Sequence, residues 1–304
     1  MRLILEGIDG AGKSSMIRLL REKFPKATGI ELGKPPKGVT PLQWADYFRH
    51  AYDANDILSR CHVSEQVYGT LIRGKSLIDP WQAWLLEMQL RALDFQLFYV
   101  VADHDQIRER ILGRKEEASD YDRWVCDHLH QMDEAYARFL PMDMTTIVDN
   151  SGELSRAVNT VMTRARPKPT RHLRGIGYLR PRVFIVGEEF TNRRHSFPNA
   201  RPFDFGEAAK MVYEALKDLP YIYVTNALYP DLGPVRSQFN LLEEYREQGG
   251  KVIAVGSIAR DECKRAGIEI TAYVAHPQYW RRFKYEDRGS WVRELRGIVE
   301  GLSQ

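Results

Sequence analysis

Near the start of the chain, Gly7, Gly10, Ala11, Gly12, Lys13, Ser14 and Ser15 have the types and spacing that hold a polyphosphate. Gly7 to Ser14 spell G-x-x-x-x-G-K-[ST], whose glycines let the backbone turn tightly around an anion. The N–H groups of Gly10, Ala11 and Gly12 would face the phosphates, with the positive end of the next helix behind them. Lys13 would reach the β- and γ-phosphates, and the Ser14 hydroxyl would hold Mg²⁺. The expected cofactors are therefore ATP and Mg²⁺. An apolar strand at 3–6 must lead into this loop and a helix at 16–23 must follow, because the motif works only between those two elements.

Further along the first half, 28–32 is a short strand candidate, and the loop KPPKG at 34–38 excludes helix interior. Residues 44–54 are helical in pattern. A strand at 56–58 then meets the run Ser59-Arg60-Cys61-His62-Val63-Ser64-Glu65-Gln66-Val67-Tyr68-Gly69. With the phosphate loop, this run resembles the thymidylate and deoxynucleoside monophosphate kinase family, particularly its phage-type members, over roughly 1–150. The resemblance implies a P-loop kinase with a parallel sheet and flanking helices. It departs at Ser59, where the family usually has the Asp of an Asp-Arg pair. That departure moves weight to Asp9, and after it Glu65, as the carboxylate that orients or deprotonates the phosphoryl acceptor. A turn residue bonded to its own backbone is the ordinary alternative for Asp9, and a helix-capping or packing carboxylate for Glu65. Arg60, at a strand end beside the phosphates, would be costly to bury without an anion. The aromatic run at 95–101 is typical of a buried parallel strand. After it, 106–115 is similar to the lid of nucleoside monophosphate kinases, and the resemblance implies that Arg110 and Arg114 close over the transferring phosphate. One amphipathic helix is expected at 121–140 and a last strand at 145–149. His62, His128 and His130 lack metal-ligand spacing and are taken as structural.

The 304 residues are enough for two cores. With 43% apolar and 28% charged residues, the composition is that of a globular protein. No apolar run approaches the roughly 18 residues of a membrane span, and 1–6 passes straight into the phosphate loop without a signal sequence. A cytoplasmic location, without membrane attachment, is the expectation. Cys61, Cys126 and Cys263 are too few and too dispersed for a disulfide framework or a zinc site.

Charge divides the chain. Net charge is −4 over 1–163 and +7 over 164–304. Residues 164–182 carry seven Lys and Arg, no acid, three Pro and two Gly, the composition of a solvated linker. The expected organisation is a kinase-like domain at 1–163, a basic linker at 164–181 and a second domain at 182–304. In that domain apolar runs at 183–186, 222–225, 252–255 and 268–275 alternate with helix candidates at 206–219, 237–248, 258–266 and 290–301. Such alternation implies parallel strands, with ligands gathered beyond their carboxyl ends.

Gly187-Glu188-Glu189-Phe190, Asn226-Ala227, Gly256-Ser257 and His276-Pro277-Gln278-Tyr279-Trp280 follow those runs in order. In that order the half-chain resembles the uracil-DNA glycosylase superfamily, and the resemblance implies a smaller three-layer α/β domain that binds a base flipped out of duplex DNA. By position, Glu189 would stand for the water-activating residue, Asn226 for the pyrimidine-reading amide and His276 for the imidazole at the departing base. Phe190 and Gln278 depart from the family pattern, so base binding is expected more than bond cleavage. Tyr279 and Trp280 could stack or wedge, and Arg281 and Arg282 could meet phosphates. The combination is similar to the 5-hydroxymethyluracil DNA kinases of phage thymine-hypermodification pathways. The alternatives are a free thymidylate or deoxynucleoside monophosphate kinase, and a DNA glycosylase with an ATP-binding domain.

Overall fold

A computed structural model describes residues 1–113, 117–165, 176–178, 181–189, 207–229, 233–234, 249–277, 279 and 287–303. The chain divides into two compact units, Met1–Asp79 with Asp94–Pro169, and Pro80–Leu93 with Thr170–Gln304.

In the first unit the elements run β1 (Leu3–Glu6), α1 (Lys13–Lys23), β2 (Gly29–Glu31), α2 (Pro41–Ala54), β3 (Ile57–Ser59) and α3 (His62–Arg73). Helix α4 (Pro80–Ala92) belongs to the other unit, and the chain returns with β4 (Gln96–Val101), α5 (His104–Leu112), α6 (Asp120–Asp127), α7 (Leu129–Phe139), β5 (Thr145–Asp149) and α8 (Leu154–Arg164). The result is an α/β unit with a five-stranded sheet in the order β2-β3-β1-β4-β5, flanked by helices. Every pairing is parallel. β1 is buried along its whole length, as the run LILE requires of a strand covered on both faces. Leu3, Leu5, Met16, Leu20, Phe98 and Val158 share one core beneath the phosphate loop. α2 starts on a reciprocal cap between Thr40 and Gln43 with Pro41 at its first position, a local signal for that start. The single helix expected at 121–140 is two. His128 leaves helical geometry at φ −115° and ψ 18°, its ring bonded to the Trp124 carbonyl at 2.8 Å and stacked on the Trp124 indole.

The second unit contains β6 (Ile176–Gly177), β7 (Val183–Glu189), α9 (Glu207–Leu216), β8 (Ile222–Tyr229), β9 (Gly233–Pro234), β10 (Lys251–Val255), α10 (Ser257–Arg265), β11 (Ala272–Val274) and α11 (Arg288–Ser303). Its sheet runs β11-β10-β7-β8-β6, with β9 on β8. The four expected strands pair in parallel, while β6 and β9 are antiparallel to β8.

Three expectations need correction. Part of the basic linker is strand β6: Ile176 is buried, and Gly177 takes φ +133° where a Cβ would collide with the Ile222 carbonyl. Asn226 lies inside β8, in register with Gly187, because the extended run continues through Ala227-Leu228-Tyr229. β7 likewise continues through Glu189, so neither residue follows its strand. Residues 80–93, expected within 1–163, complete the second unit. Leu85 and Met88 join the core of Val183, Ile185, Val212, Trp291 and Leu295. Arg91 lies over the Tyr178 ring at 4.6 Å, and Trp84 meets Tyr213 edge-on at 5.8 Å. α4 is apolar around most of its circumference, a pattern that says it is covered without saying by which sheet. The helix expected at 237–248 lies outside the described residues.

Candidate active site

The phosphate loop joins β1 to α1 at the carboxyl edge of the sheet, where the ends of β3 and β4 also arrive. Gly7, Gly10 and Gly12 all have positive φ, 141°, 90° and 100°. A Cβ on Gly7 would strike the Val100 carbonyl, and one on Gly12 the Asn150 amide, so these positions need glycine for space as well as for conformation. The Ala11 N–H, expected to face the anion, donates to Ile8 O at 3.1 Å and closes the loop on itself. The amides of Lys13, Ser14 and Ser15 open α1 and precede its first intrahelical bond, Met16 N–H to Gly12 O.

Lys13 is buried, and its Nζ donates to Gly7 O at 2.6 Å and Ile8 O at 2.9 Å. Burial draws its ammonium down to about 8, against the opposing pull of Asp9. Asp9 lies 3.8 Å from that ammonium, is paired with Arg60, and accepts from the Tyr121 hydroxyl at 2.8 Å. Burial alone would raise the Asp9 carboxyl, but the charges of Lys13 and Arg60 and the bonds from Arg60 and Tyr121 outweigh it and hold the group at about 2. The Asp9 N–H donates to the Tyr68 hydroxyl at 3.1 Å. Arg60 sits at φ +70°, strained for a side-chain-bearing residue, with its N–H on Leu5 O at 2.9 Å and a guanidinium nitrogen on Leu32 O at 3.2 Å.

Beneath the loop, Glu6 is fully buried and accepts from Cys61 N–H at 2.6 Å and Ser64 Oγ at 2.7 Å. Tyr136 donates to Gly7 O at 3.1 Å. Burial lowers the His62 ring to about 3, so it is neutral, and it meets the Tyr52 hydroxyl at 2.8 Å. Glu6 ends an otherwise apolar strand, a further sign in the sequence that this strand reaches a polar site. On the other side of the loop, Arg110 on α5 approaches Gly10 O at 3.4 Å and donates to Asn150 O at 3.0 Å. Asn150 donates to Ala11 O at 2.7 Å, while its side-chain oxygen is buried without a partner among the described residues.

A cavity of about 540 Å³ opens beside Asp9. Trp44, Phe48, Tyr68 and Tyr121 give it aromatic walls, and Arg60, Glu65 and Arg73 also line it. The Glu65 carboxylate is turned to Arg73 and to Leu77 N–H at 2.8 Å, which binds the end of α3 to the segment after it. Tyr121 and Asn150 carry no recognisable spacing, and only the fold brings them to the loop.

The structure thus gathers Lys13, Asp9, Arg60 and Arg110 around one loop, with Glu65 on the cavity wall. The exposed Ser14 hydroxyl faces a carboxylate, Glu31, at 3.4 Å, a hard-oxygen pair suited to Mg²⁺. Arg114, Trp280, Arg281 and Arg282 lie outside the described residues. In the second unit Asn226 is buried, His276 is half-buried after β11 and Tyr279 is exposed, while only the backbone of Glu189 is described. No cluster of three metal-ligating side chains occurs among the described residues, and no helix there is long and apolar enough to cross a membrane. Cys61, Cys126 and Cys263 are free and buried.

No family model matches the sequence, and no curated protein does. Solved structures match over about half the chain. The YorR protein of Bacillus subtilis, in complex with phosphorylated GDP, is 19% identical with a TM-score of 0.45, over 54% of this chain and 94% of its own. Deoxyadenosine kinase from M. mycoides with bound dATP is 14% identical with a TM-score of 0.36, over 54% and 98%. Thymidylate kinase from Candida albicans is 14% identical with a TM-score of 0.33, over 53% and 88%.

Proposed function

We propose that the protein is an ATP-dependent phosphotransferase that delivers a phosphoryl group to an alcohol on a pyrimidine deoxynucleotide seated in the cavity beside Asp9. The acceptor we assign is the hydroxymethyl group of 5-hydroxymethyluracil in phage DNA, the acceptor implied by the two sequence resemblances taken together. One observation favours an alcohol over a phosphate. Both arginines lining the cavity are neutralised by carboxylates, Arg60 by Asp9 and Arg73 by Glu65. A monophosphate acceptor brings a dianion toward two carboxylates whose guanidinium partners are already engaged, with Lys34 as the further cation on the wall, whereas a hydroxyl brings no charge.

In this mechanism Lys13 and the first amides of α1 bind the nucleotide phosphates, and Arg110 stands at the loop's far side. Mg²⁺, held by Ser14 Oγ, would supply positive charge to those phosphates. Asp9 accepts a hydrogen bond from the acceptor hydroxyl and holds its oxygen toward the phosphorus. The oxygen–phosphorus bond forms as the γ-phosphorus parts from its bridging oxygen, the hydroxyl proton leaves to Asp9 or water, and ADP and a phosphomonoester result. A carboxylate held at about 2 is a weak proton acceptor. In a loose phosphoryl-transfer transition state base strength counts for little, so the role of Asp9 is chiefly orientation. The basic second half then serves to hold DNA.

The test supplies γ-labelled ATP with Mg²⁺ and, separately, duplex DNA containing 5-hydroxymethyluracil, the same duplex with thymine, and free deoxynucleoside monophosphates. Label in the first duplex alone is expected. Label confined to the monophosphates would favour the free-nucleotide kinase, and abasic sites in the DNA would favour the glycosylase.

A further inference from the structure

The end of β3 lacks the carboxylate that the kinase resemblance implies, and Ser59 in its place is fully buried with a hydroxyl that finds no partner among the described residues. The neighbouring strand carries one at the same height. In the parallel pairing of β2 with β3, Glu31 is the register partner of Ser59. Glu31 is the last residue of β2, its side chain is exposed, and its Oε1 lies 3.4 Å from Ser14 Oγ. Its negative charge also acts on the buried Lys13 ammonium. Glu31 is thus at the phosphate seat, although it belongs to no motif.

We propose that Glu31 supplies from β2 the carboxylate missing from β3, and that Glu31 and Ser14 together hold the Mg²⁺ that accompanies the nucleotide phosphates. The proposal rests on the loop being an ATP site. Mg²⁺ favours oxygen donors, taking one or two carboxylates with substrate phosphates and keeping several waters. Metal–oxygen bonds of about 2.1 Å put neighbouring corners of an octahedron about 3 Å apart, close to the separation of the Glu31 and Ser14 oxygens. The long hydrogen bond from Ser14 to Glu31 is readily exchanged for a shared ion. A carboxylate at the fully buried Ser59 would carry a larger desolvation cost than one at the exposed end of β2. Moving the group one strand outward keeps it near the metal and in water.

ADP affinity measured by calorimetry in EDTA and in Mg²⁺, together with Mn²⁺ uptake followed by electron paramagnetic resonance, tests this without turnover. For the unaltered protein Mg²⁺ is expected to tighten ADP at least tenfold. Glu31→Gln should remove most of that gain and of the ADP-dependent Mn²⁺ uptake, while ADP affinity in EDTA stays within about twofold. Adding Ser59→Asp to Glu31→Gln should restore part of the loss, since the two positions are register partners. Glu31→Gln with the full Mg²⁺ gain would overturn the assignment of Glu31 and leave the ATP site standing. An unaltered protein that fails to bind ADP in either condition would overturn both.

Discussion

The two units of this chain are both α/β structures built around parallel strands in which a strand passes through glycine into a helix, yet they treat charge in opposite ways. Around the turn from β1 into α1 the first unit buries Glu6 and Lys13 and half-buries Asp9 and Arg60. At the turn from β10 into α10, Gly256 leads into Ser257 with no such group. The buried polar side chains among the described residues of the second unit are Gln82, Gln89, Thr225 and Asn226, all neutral. Removing an ion from water costs several kcal/mol unless a partner compensates. A fold that carries that cost at one turn and avoids it at the matching turn separates the place where charge does chemistry from the place where shape and neutral hydrogen bonds suffice. On our proposal the first unit transfers phosphate and the second holds DNA.

The sharpest way to break this division is Lys13→Ala. Transfer should fall at least about 10³-fold, because the cation on the phosphates is lost, while DNA affinity changes less than about twofold. Equal losses in both would mean that the two units do not divide the work. Next in size is Met88→Ala, which opens a cavity in the second unit from a helix that leaves the first unit's chain. It should cost about 2–5 kcal/mol in denaturant unfolding followed by a second-unit probe such as Trp291, with ADP affinity unchanged. An unchanged midpoint would remove α4 from that core.

A third effect is pH-dependent. The folded Lys13 ammonium releases its proton near 8, against 10.5 for the free side chain. Between those values the unfolded chain holds more protons, so the penalty that Lys13 places on stability is full below about pH 8 and is relieved as pH rises from 8 through 10.5. Phosphates bind the charged form, so ADP affinity should weaken about fivefold from pH 8 to 9, with proton uptake on binding seen by calorimetry in buffers of different ionisation heat. Affinity constant up to pH 9 would place Lys13 away from the phosphates. The smallest effect expected is from Tyr121→Phe, which removes one hydrogen bond from Asp9. It should raise the acceptor KM a few-fold, with less change in kcat and none in ADP affinity.

How much of this was legible in the sequence follows from how far apart the interacting residues lie. The phosphate loop is contiguous, so its glycines, Lys13 and Ser14 were plain from spacing, as were the strands that are continuously apolar. The register that sets Glu31 against Ser59 joins residues on different strands, and nothing in 28–32 says which neighbour it will have. The same holds for α4, whose apolar surface shows that it is buried but not where, and for Asn226, whose strand runs four residues past the run read at 222–225. The break at His128 depends on one ring meeting the carbonyl and indole of Trp124, which no periodicity records.

The most direct test is a competition: γ-labelled ATP, Mg²⁺, a duplex carrying one 5-hydroxymethyluracil, and dTMP in tenfold excess in the same tube. Phosphate on the base's hydroxymethyl group with dTMP left unlabelled is the predicted result. Labelled dTDP with the duplex blank would contradict transfer to an alcohol and make the protein a kinase of free monophosphates.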